Sequence, residues 1–190
     1  TVRRAPGVWW RAMNAVLAYI DNSDRRVSGK LADWHPPRWF RVWMLLATRL
    51  GDGWLWALIA IALLALGDFG ALGAAFLACC GANGVMIVLK KRFRRCRPCP
   101  SLNNAFFQVL RADLSAFDDF SFPSGHTMNA FAIGTVLSLL HPALLPSMAF
   151  VAMNVAASRV FLRMHFVTDV LVGALLGSLI GSAAVAAFLR

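Results

Sequence analysis

Two long stretches of this chain, residues 71–89 and residues 170–189, contain no charged residue. Each is long enough, as an α-helix, to cross the hydrocarbon core of a bilayer, which takes about 20 residues. Hydrophobic residues make up 59% of the 190 residues, whereas a soluble domain has roughly 45–50%. The chain is therefore predicted to lie in a membrane.

Three further apolar stretches complete the predicted spans. They are residues 53–67, 126–140 and 144–162. The first is short and is expected to extend toward its N-terminal side, and the turn between the other two contains prolines. The predicted fold class is all-α, a multi-pass transmembrane helical bundle of about five spans. In the last span Gly173, Gly177 and Gly181 recur at every fourth position, which predicts the close approach of another helix.

The first 50 residues differ from the rest of the chain. All seven tryptophans lie at or before Trp56, and tryptophan favours the headgroup layer of a membrane. Apolar residues recur at helical spacing from Val8 to Ile20. We therefore predict an N-terminal region, residues 1–50, with an amphipathic interfacial helix, and a transmembrane domain over residues 51–190. Packing of the same helix on the protein's own core explains the pattern equally well.

The net charge of +10 raises the question of which anion the chain binds. All nine acidic residues are aspartate, and most of the 19 lysines and arginines flank apolar stretches, where lipid phosphate is the nearest anion. A lipid bilayer is therefore the predicted partner, and nucleic acid is not. The oligomeric state is not predicted.

A basic cluster follows the first uncharged stretch. One arrangement has the helix continue through Arg95, with Pro98 ending it. On such a helix Lys90, Arg94 and Arg97 lie on one face. Cations in this arrangement can hold phosphoryl oxygens, although a basic collar beside a membrane span is a common alternative.

A second cluster, Pro123-Ser124-Gly125-His126, opens an apolar helical stretch. The backbone N–H groups of the first turn point outward there, and the small Ser124 and Gly125 allow a phosphate to approach. His126 then stands beside the anion. The alternative is a capping motif followed by a histidine of the core.

In a third cluster, His165 and Asp169 follow Ser158-Arg159. Residues four apart share one face of a helix, so the carboxylate of Asp169 is expected to accept the imidazole N–H. The other ring nitrogen is then available to attack phosphorus, with Asp169 orienting the ring. A purely structural His–Asp pair is the alternative, but ionisable groups in a membrane usually mark function.

Together the clusters supply two imidazoles, one carboxylate and three cations, Lys90, Arg97 and Arg159. This set of groups predicts a phosphatase that uses no metal and no other cofactor. The pattern Lys90-x6-Arg97-Pro98, Pro123-Ser124-Gly125-His126 and Ser158-Arg159-x5-His165-x3-Asp169 resembles the signature of the type 2 phosphatidic acid phosphatase superfamily, which also contains the vanadium haloperoxidases. The resemblance implies a helical bundle in which His165 forms a phosphohistidine, Asp169 orients it, and His126 protonates the leaving group and then activates water. It also implies a phosphate site made of Lys90, Arg97, Arg159 and the backbone of Ser124 and Gly125.

Three functions fit this pattern. The first is an integral-membrane lipid phosphatase acting on phosphatidate, phosphatidylglycerophosphate or a polyprenyl pyrophosphate. The second is a lipid phosphotransferase that passes the phosphoryl group to a hydroxyl, and the third is a non-catalytic lipid-binding scaffold. The full set of polar groups argues against the scaffold. The active site lies at a membrane surface: the charge distribution favours the cytoplasmic face, whereas the resemblance favours the outer face.

Three other features are interpreted without a role in the site. Cys96 and Cys99 form a Cys-x-x-Cys pair with no second pair at ligand spacing, so incidental cysteines are favoured over a zinc or redox site. The adjacent Asp118 and Asp119 favour a turn over a cation site. The long apolar connection over residues 99–122 is interpreted either as a lid that gates acyl chains or as a cover over the helix ends.

Overall fold

The computed structural model describes the backbone of residues 8–98 and 120–188 and the side chains of residues 18–98 and 120–188. Within these ranges the chain forms seven α-helices. They are α1 (Val8–Asp33), α2 (Arg38–Leu50), α3 (Trp54–Ala65), α4 (Phe69–Phe93), α5 (Gly125–Leu140), α6 (Leu145–Phe161) and α7 (Val167–Phe188). A 3₁₀ turn, Pro142–Leu144, joins α5 to α6. The predicted all-α helical bundle is confirmed.

Helix α5 lies at the centre of the bundle and packs against α4, α6 and α7. The approach of α7 depends on its glycines. A Cβ atom on Gly173 would lie 2.8 Å from the carbonyl oxygen of Ser124, and Cβ atoms on Gly177 and Gly181 would overlap other α5 carbonyl oxygens. The predicted close helix approach is therefore present, and it is an approach to the α5 backbone.

By length and composition, three or four of the described helical segments could cross a membrane. Three helical segments are long and apolar enough to cross a bilayer: Phe69–Phe93, Pro142–Phe161 and Val167–Phe188. Helices α2 and α3 meet at a bend of 49° and give a fourth span if they act together. The remaining predicted span is α5, which has 16 residues and would reach only about 24 Å.

Large apolar side chains cover the outside of the bundle. Phe76 on α4, Leu64 on α3 and Leu175 on α7 are all more than half exposed. In water such a surface would be unfavourable, whereas lipid chains solvate it well. The chain is a membrane protein.

The described part of α1 packs on the protein near Asp24. Its carboxylate is only 4% exposed and accepts a hydrogen bond from the backbone N–H of Thr168 on α7. Tyr19, one turn and a half earlier, is 72% exposed. Of the two arrangements that the sequence left open, contact with the protein's own core is therefore present around Asp24.

The prediction that α4 continues through Arg95 is wrong. The helix ends at Phe93, and Arg94 adopts a left-handed conformation with φ of 46°, which turns the chain out of the helix. Consequently Lys90, Arg94 and Arg97 do not share a helical face, and Arg94 is exposed. The turn separates the cations: Arg95 reaches buried carboxylates on α1 and α7, and Arg97 lines a cavity.

Candidate active site

A cavity of about 720 Å³ opens where α4 ends and α5 begins. Six of the eight predicted site residues line it: Lys90, Arg97, Gly125, His126, Arg159 and His165. The other two, Ser124 and Asp169, are fully buried, and the Ser124 N–H donates to the Asp169 carbonyl oxygen. Three clusters that are far apart in the sequence therefore meet at one cavity.

The cationic side of this cavity is largely shielded from solvent. Lys90 is 7% exposed and Arg159 is 1% exposed. Arg159 Nη1 donates to Thr48 Oγ1 on α2 at 2.7 Å, and its buried Nε makes no hydrogen bond within the described residues. Like charges around one cavity repel one another unless an anion lies among them. Guanidinium geometry suits phosphoryl oxygens, so this side is suited to a phosphate group.

The first turn of α5 forms another side of the cavity. Gly125 lines it, and a Cβ atom there would overlap the Met86 sulfur. Ser124 faces inward instead: its hydroxyl lies 3.0 Å from Thr127 Oγ1, and its backbone N–H is used by Asp169. Ser124 therefore holds the turn in place, while the missing side chain of Gly125 lets Met86 pack against the backbone of the turn.

His165 lies in the turn between α6 and α7 and is 3% exposed. Its Nδ1 lies 2.6 Å from the carbonyl oxygen of Ser121. Because a carbonyl oxygen only accepts, Nδ1 carries the hydrogen, and Nε2 is the basic nitrogen. Burial lowers the pKa of His165 to about 3, which keeps the ring neutral near pH 7, as a nucleophile must be.

The prediction that His165 and Asp169 share a helical face is wrong. Helix α7 begins at Val167, after His165, and the imidazole N–H is donated to Ser121 rather than to the carboxylate. Asp169 Oδ2 accepts the backbone N–H of Phe166 at 2.9 Å, which closes the turn before α7. The same oxygen still lies 3.8 Å from His165 Nδ1, close enough to stabilise positive charge on the ring.

Arg95 binds the carboxylate of Asp169 and connects it to helix α1. Arg95 Nη1 donates to Asp169 Oδ1 at 2.7 Å, and Nη2 donates to Asp24 Oδ2 at 2.8 Å and to Asp21 at 3.1 Å. The guanidinium also stacks over the Phe166 ring, 4.1 Å from its centre. A chain of charged groups therefore connects α1 to the carboxylate beside His165.

His126 has a carboxylate partner of its own. Its Nε2 lies 2.7 Å from Asp52 Oδ1, and Asp52 also lies 3.4 Å from Arg49. The backbone of Gly51 packs so closely that a Cβ atom there would lie 2.8 Å from the His126 ring. The bend between α2 and α3 thus fixes the position of this imidazole.

Sequence reasoning missed four side chains at this site: Asp24, Thr48, Asp52 and Arg95. The signal that could have found Asp52 is its place as a single carboxylate between two glycines, directly before the apolar stretch that runs to residue 67. Asp24 is likewise an acidic residue within a basic segment, Asp24-Arg25-Arg26. Such isolated charges near a membrane usually have a specific partner.

Several predictions lie partly or wholly outside the described residues. Cys96 is exposed, whereas Cys99, Asp118, Asp119 and most of the apolar connection over residues 99–122 are not described. Within the described ranges, no three His, Cys, Asp or Glu side chains come together as a group that could hold a metal ion.

Comparison with known proteins identifies the family. The model of the PAP2 superfamily matches residues 71–190. Phosphatidylglycerophosphatase B of Bacillus subtilis (strain 168) is 42% identical over 72 residues; the match covers 32% of this chain and 36% of that protein. The match thus spans about a third of that curated relative.

Two solved structures share the fold. One is a transmembrane PAP2 type phosphatidylglycerolphosphate phosphatase from Bacillus subtilis, with a TM-score of 0.68 and 26% identity, covering 87% of this chain and 84% of the other. The second is LpxE of Aquifex aeolicus, with a TM-score of 0.66 and 25% identity, covering 87% and 93%. Since the family model matches more than half of the 190 residues, the predicted resemblance is confirmed, and the chain belongs to the PAP2 superfamily.

Proposed function

We propose that this chain is an integral-membrane lipid phosphatase that hydrolyses the terminal phosphate of a lipid phosphate or pyrophosphate through a phosphohistidine at His165. One observation carries the proposal. Two histidines, each with a carboxylate within ion-pair distance, meet three cations at one cavity. The relatives described as phosphatidylglycerophosphatases support a phospholipid substrate.

In the first step, the Nε2 lone pair of His165 attacks phosphorus and forms an N–P bond. The bond between phosphorus and the lipid oxygen breaks, and His126 gives its proton to that oxygen. The lipid therefore leaves as an alcohol when the substrate is an alkyl phosphate, and as a lipid monophosphate when the substrate is a pyrophosphate. Asp169, fixed by Arg95, stabilises the positive charge that develops on the His165 ring.

In the second step, the neutral His126 takes a proton from water as the water oxygen attacks phosphorus. The N–P bond breaks, its electron pair returns to Nε2, and inorganic phosphate leaves. Asp52 lies within hydrogen-bond distance of His126 and stabilises its protonated form in a cavity that otherwise holds positive charge. Both proton transfers therefore use one histidine.

Charge on the phosphoryl oxygens is stabilised by Lys90, Arg97 and Arg159, which line the cavity. Fixed cations in a site of low polarity stabilise a transition state more strongly than they would in water. The proposal therefore assigns the electrostatic part of catalysis to side chains of this chain, and it expects hydrolysis in the presence of a chelator.

The test is phosphate release by the purified chain in detergent, with phosphatidate, phosphatidylglycerophosphate and a polyprenyl pyrophosphate as substrates, each with and without EDTA. His165→Ala is expected to reduce turnover by at least about 10³-fold, since it removes the nucleophile. Brief reaction of the wild type with ³²P-labelled substrate should give a label that is stable in base and labile in acid, as a phosphohistidine is.

His141→Ala is the matched control. His141 also has an aspartate partner, Asp68 at 2.7 Å, but it does not line the cavity. This variant should keep near wild-type turnover. Substantial phosphate release by His165→Ala, or a strict requirement for a divalent cation, would contradict the proposed mechanism.

A further inference from the structure

Beyond the phosphate site, the cavity wall is largely apolar but contains two amides. Asn83 on α4 and Asn129 on α5 line it together with Trp56, Met86 and Ile133. Polar side chains within a membrane bundle are costly and usually have a function. These two amides belong to none of the motifs that define the phosphate site.

The amides face each other across the two helices. Asn129 Nδ2 donates to Asn83 Oδ1 at 3.2 Å, and Asn83 Nδ2 lies 3.4 Å from Asn129 Oδ1 and donates to the Cys79 carbonyl oxygen at 2.9 Å. A carboxamide offers two N–H groups and two acceptor positions. The contacts with Asn83 use one N–H group and one acceptor position of Asn129. Half of its hydrogen-bonding capacity thus remains for a ligand in the cavity.

The position of the pair relative to His126 indicates which part of a substrate it meets. Asn129 follows His126 by three residues on α5, so both lie on one face, about 4.5 Å apart along the axis. In the proposed mechanism His126 protonates the leaving oxygen. The atoms attached to that oxygen therefore come next to Asn129.

We propose that Asn83 and Asn129 form a polar subsite for an oxygen atom of the leaving group, and that this subsite makes the enzyme prefer glycerol-based lipid phosphates to prenyl or alkyl monophosphates. The inference rests on the proposed function. A glycerol-based leaving group carries a hydroxyl or an ester carbonyl within a few bonds of the scissile oxygen. A prenyl or alkyl group has only carbon and hydrogen atoms there, and it would leave the remaining hydrogen-bonding positions of Asn129 unused.

The test compares kcat/KM of the wild type and the double variant Asn83→Leu/Asn129→Leu. Leucine keeps the branched shape, and changing both residues avoids leaving one amide buried alone. Three substrates separate the possible oxygens: phosphatidylglycerophosphate offers a hydroxyl, phosphatidate offers ester carbonyls, and farnesyl monophosphate offers neither.

The double variant is expected to lose about tenfold in kcat/KM on at least one glycerol-based substrate, the equivalent of about one hydrogen bond. Its kcat/KM on farnesyl monophosphate should change less than about twofold, because that substrate makes no hydrogen bond to the pair. The glycerol-based substrate that loses more identifies the oxygen that is bound.

Asn154→Leu is the matched control. Asn154 accepts a hydrogen bond from Trp43 between α6 and α2 at 2.7 Å, but it does not line the cavity. It should lower thermal stability without changing the ratio between substrates. An equal loss on all three substrates in the double variant, or no loss on the glycerol-based ones, would overturn the subsite and leave only a contact between helices. Failure of the wild type to release phosphate from any substrate would instead overturn the proposed function.

Discussion

At the scale of single residues, the contact between Asp52 and His126 offers a test of the acid role that we propose for this imidazole. Asp52→Asn keeps the size of the side chain but removes the charge that stabilises the imidazolium. It is expected to lower kcat/KM for phosphatidate by roughly 10- to 100-fold, less than the loss of a whole general acid, which costs 10²–10⁴-fold. Hydrolysis of an activated aryl phosphate, whose leaving oxygen needs little protonation, should fall much less. Steady-state kinetics with both substrates measure the difference.

The matched control is Asp68→Asn, which removes an Asp–His contact of the same length outside the cavity. It should leave both rates near the wild-type values. A second comparison is Arg159→Ala, which removes phosphate stabilisation common to both substrates and should depress both rates alike. Equal losses on the two substrates in Asp52→Asn would assign Asp52 to structure or binding instead of acid catalysis.

At the scale of secondary-structure elements, α1 is connected to the carboxylate of Asp169 through Asp24 and Arg95. Asp24→Asn removes the buried negative charge that lies 2.8 Å from Arg95 Nη2, and it therefore weakens the ion pair that helps to hold the guanidinium against Asp169. Asp24→Asn is therefore expected to lower kcat by about tenfold with little change in KM, because neither Asp24 nor Arg95 lines the cavity. Kinetics at saturating and limiting substrate separate the two constants.

Asp21 offers the control for this prediction, since it contacts the same Arg95 nitrogen but has a side chain that is 42% exposed. Exposed ion pairs contribute about 0–1 kcal/mol, so Asp21→Asn should change kcat less than about threefold. The connection between α1 and catalysis is refuted if Asp24→Asn lowers only the melting temperature, or if both variants behave alike.

At the scale of the whole molecule, we expect the buried His165 to make folding sensitive to acid. The pKa of His165 falls from the ordinary value of 6.5 to about 3 in the folded protein because the ring is buried. Between these values the unfolded chain binds a proton that the folded chain does not. The stability due to the neutral ring is therefore present above pH 6.5 and is lost as the pH falls toward 3.

His165→Asn lacks this titration but retains a side-chain N–H for the Ser121 carbonyl oxygen. Melting temperatures followed by tryptophan fluorescence should therefore fall more steeply for the wild type than for the variant as the pH is lowered from about 7 to about 5. All other groups titrate in both proteins, so the difference isolates His165. Parallel curves would show that this ring does not control acid stability.

The sequence predicted the parts of the site that depend on local spacing. The three cations and both histidines that line the cavity stand in short motifs, and the glycines of α7 recur with the helical period. Contacts between distant elements could not be predicted in this way. Asp52 and His126 are 74 residues apart, and nothing in the sequence pairs His126 with Asp52 rather than with Asp68. The end of α4 was also missed, because a left-handed arginine has no local signature.

The glycine contacts between α7 and α5 limit how this protein can be engineered. Replacing a helical glycine by alanine ordinarily stabilises a helix by up to about 1 kcal/mol. At Gly173, Gly177 or Gly181 the added methyl group would instead push against the backbone of α5 and move the first turn of that helix relative to Asp169. At Gly84 on α4, a methyl group would meet no atom within 4 Å. A search for thermostable variants should therefore begin at Gly84 and leave the α7 glycines unchanged, because the spacing of the catalytic groups depends on their missing side chains.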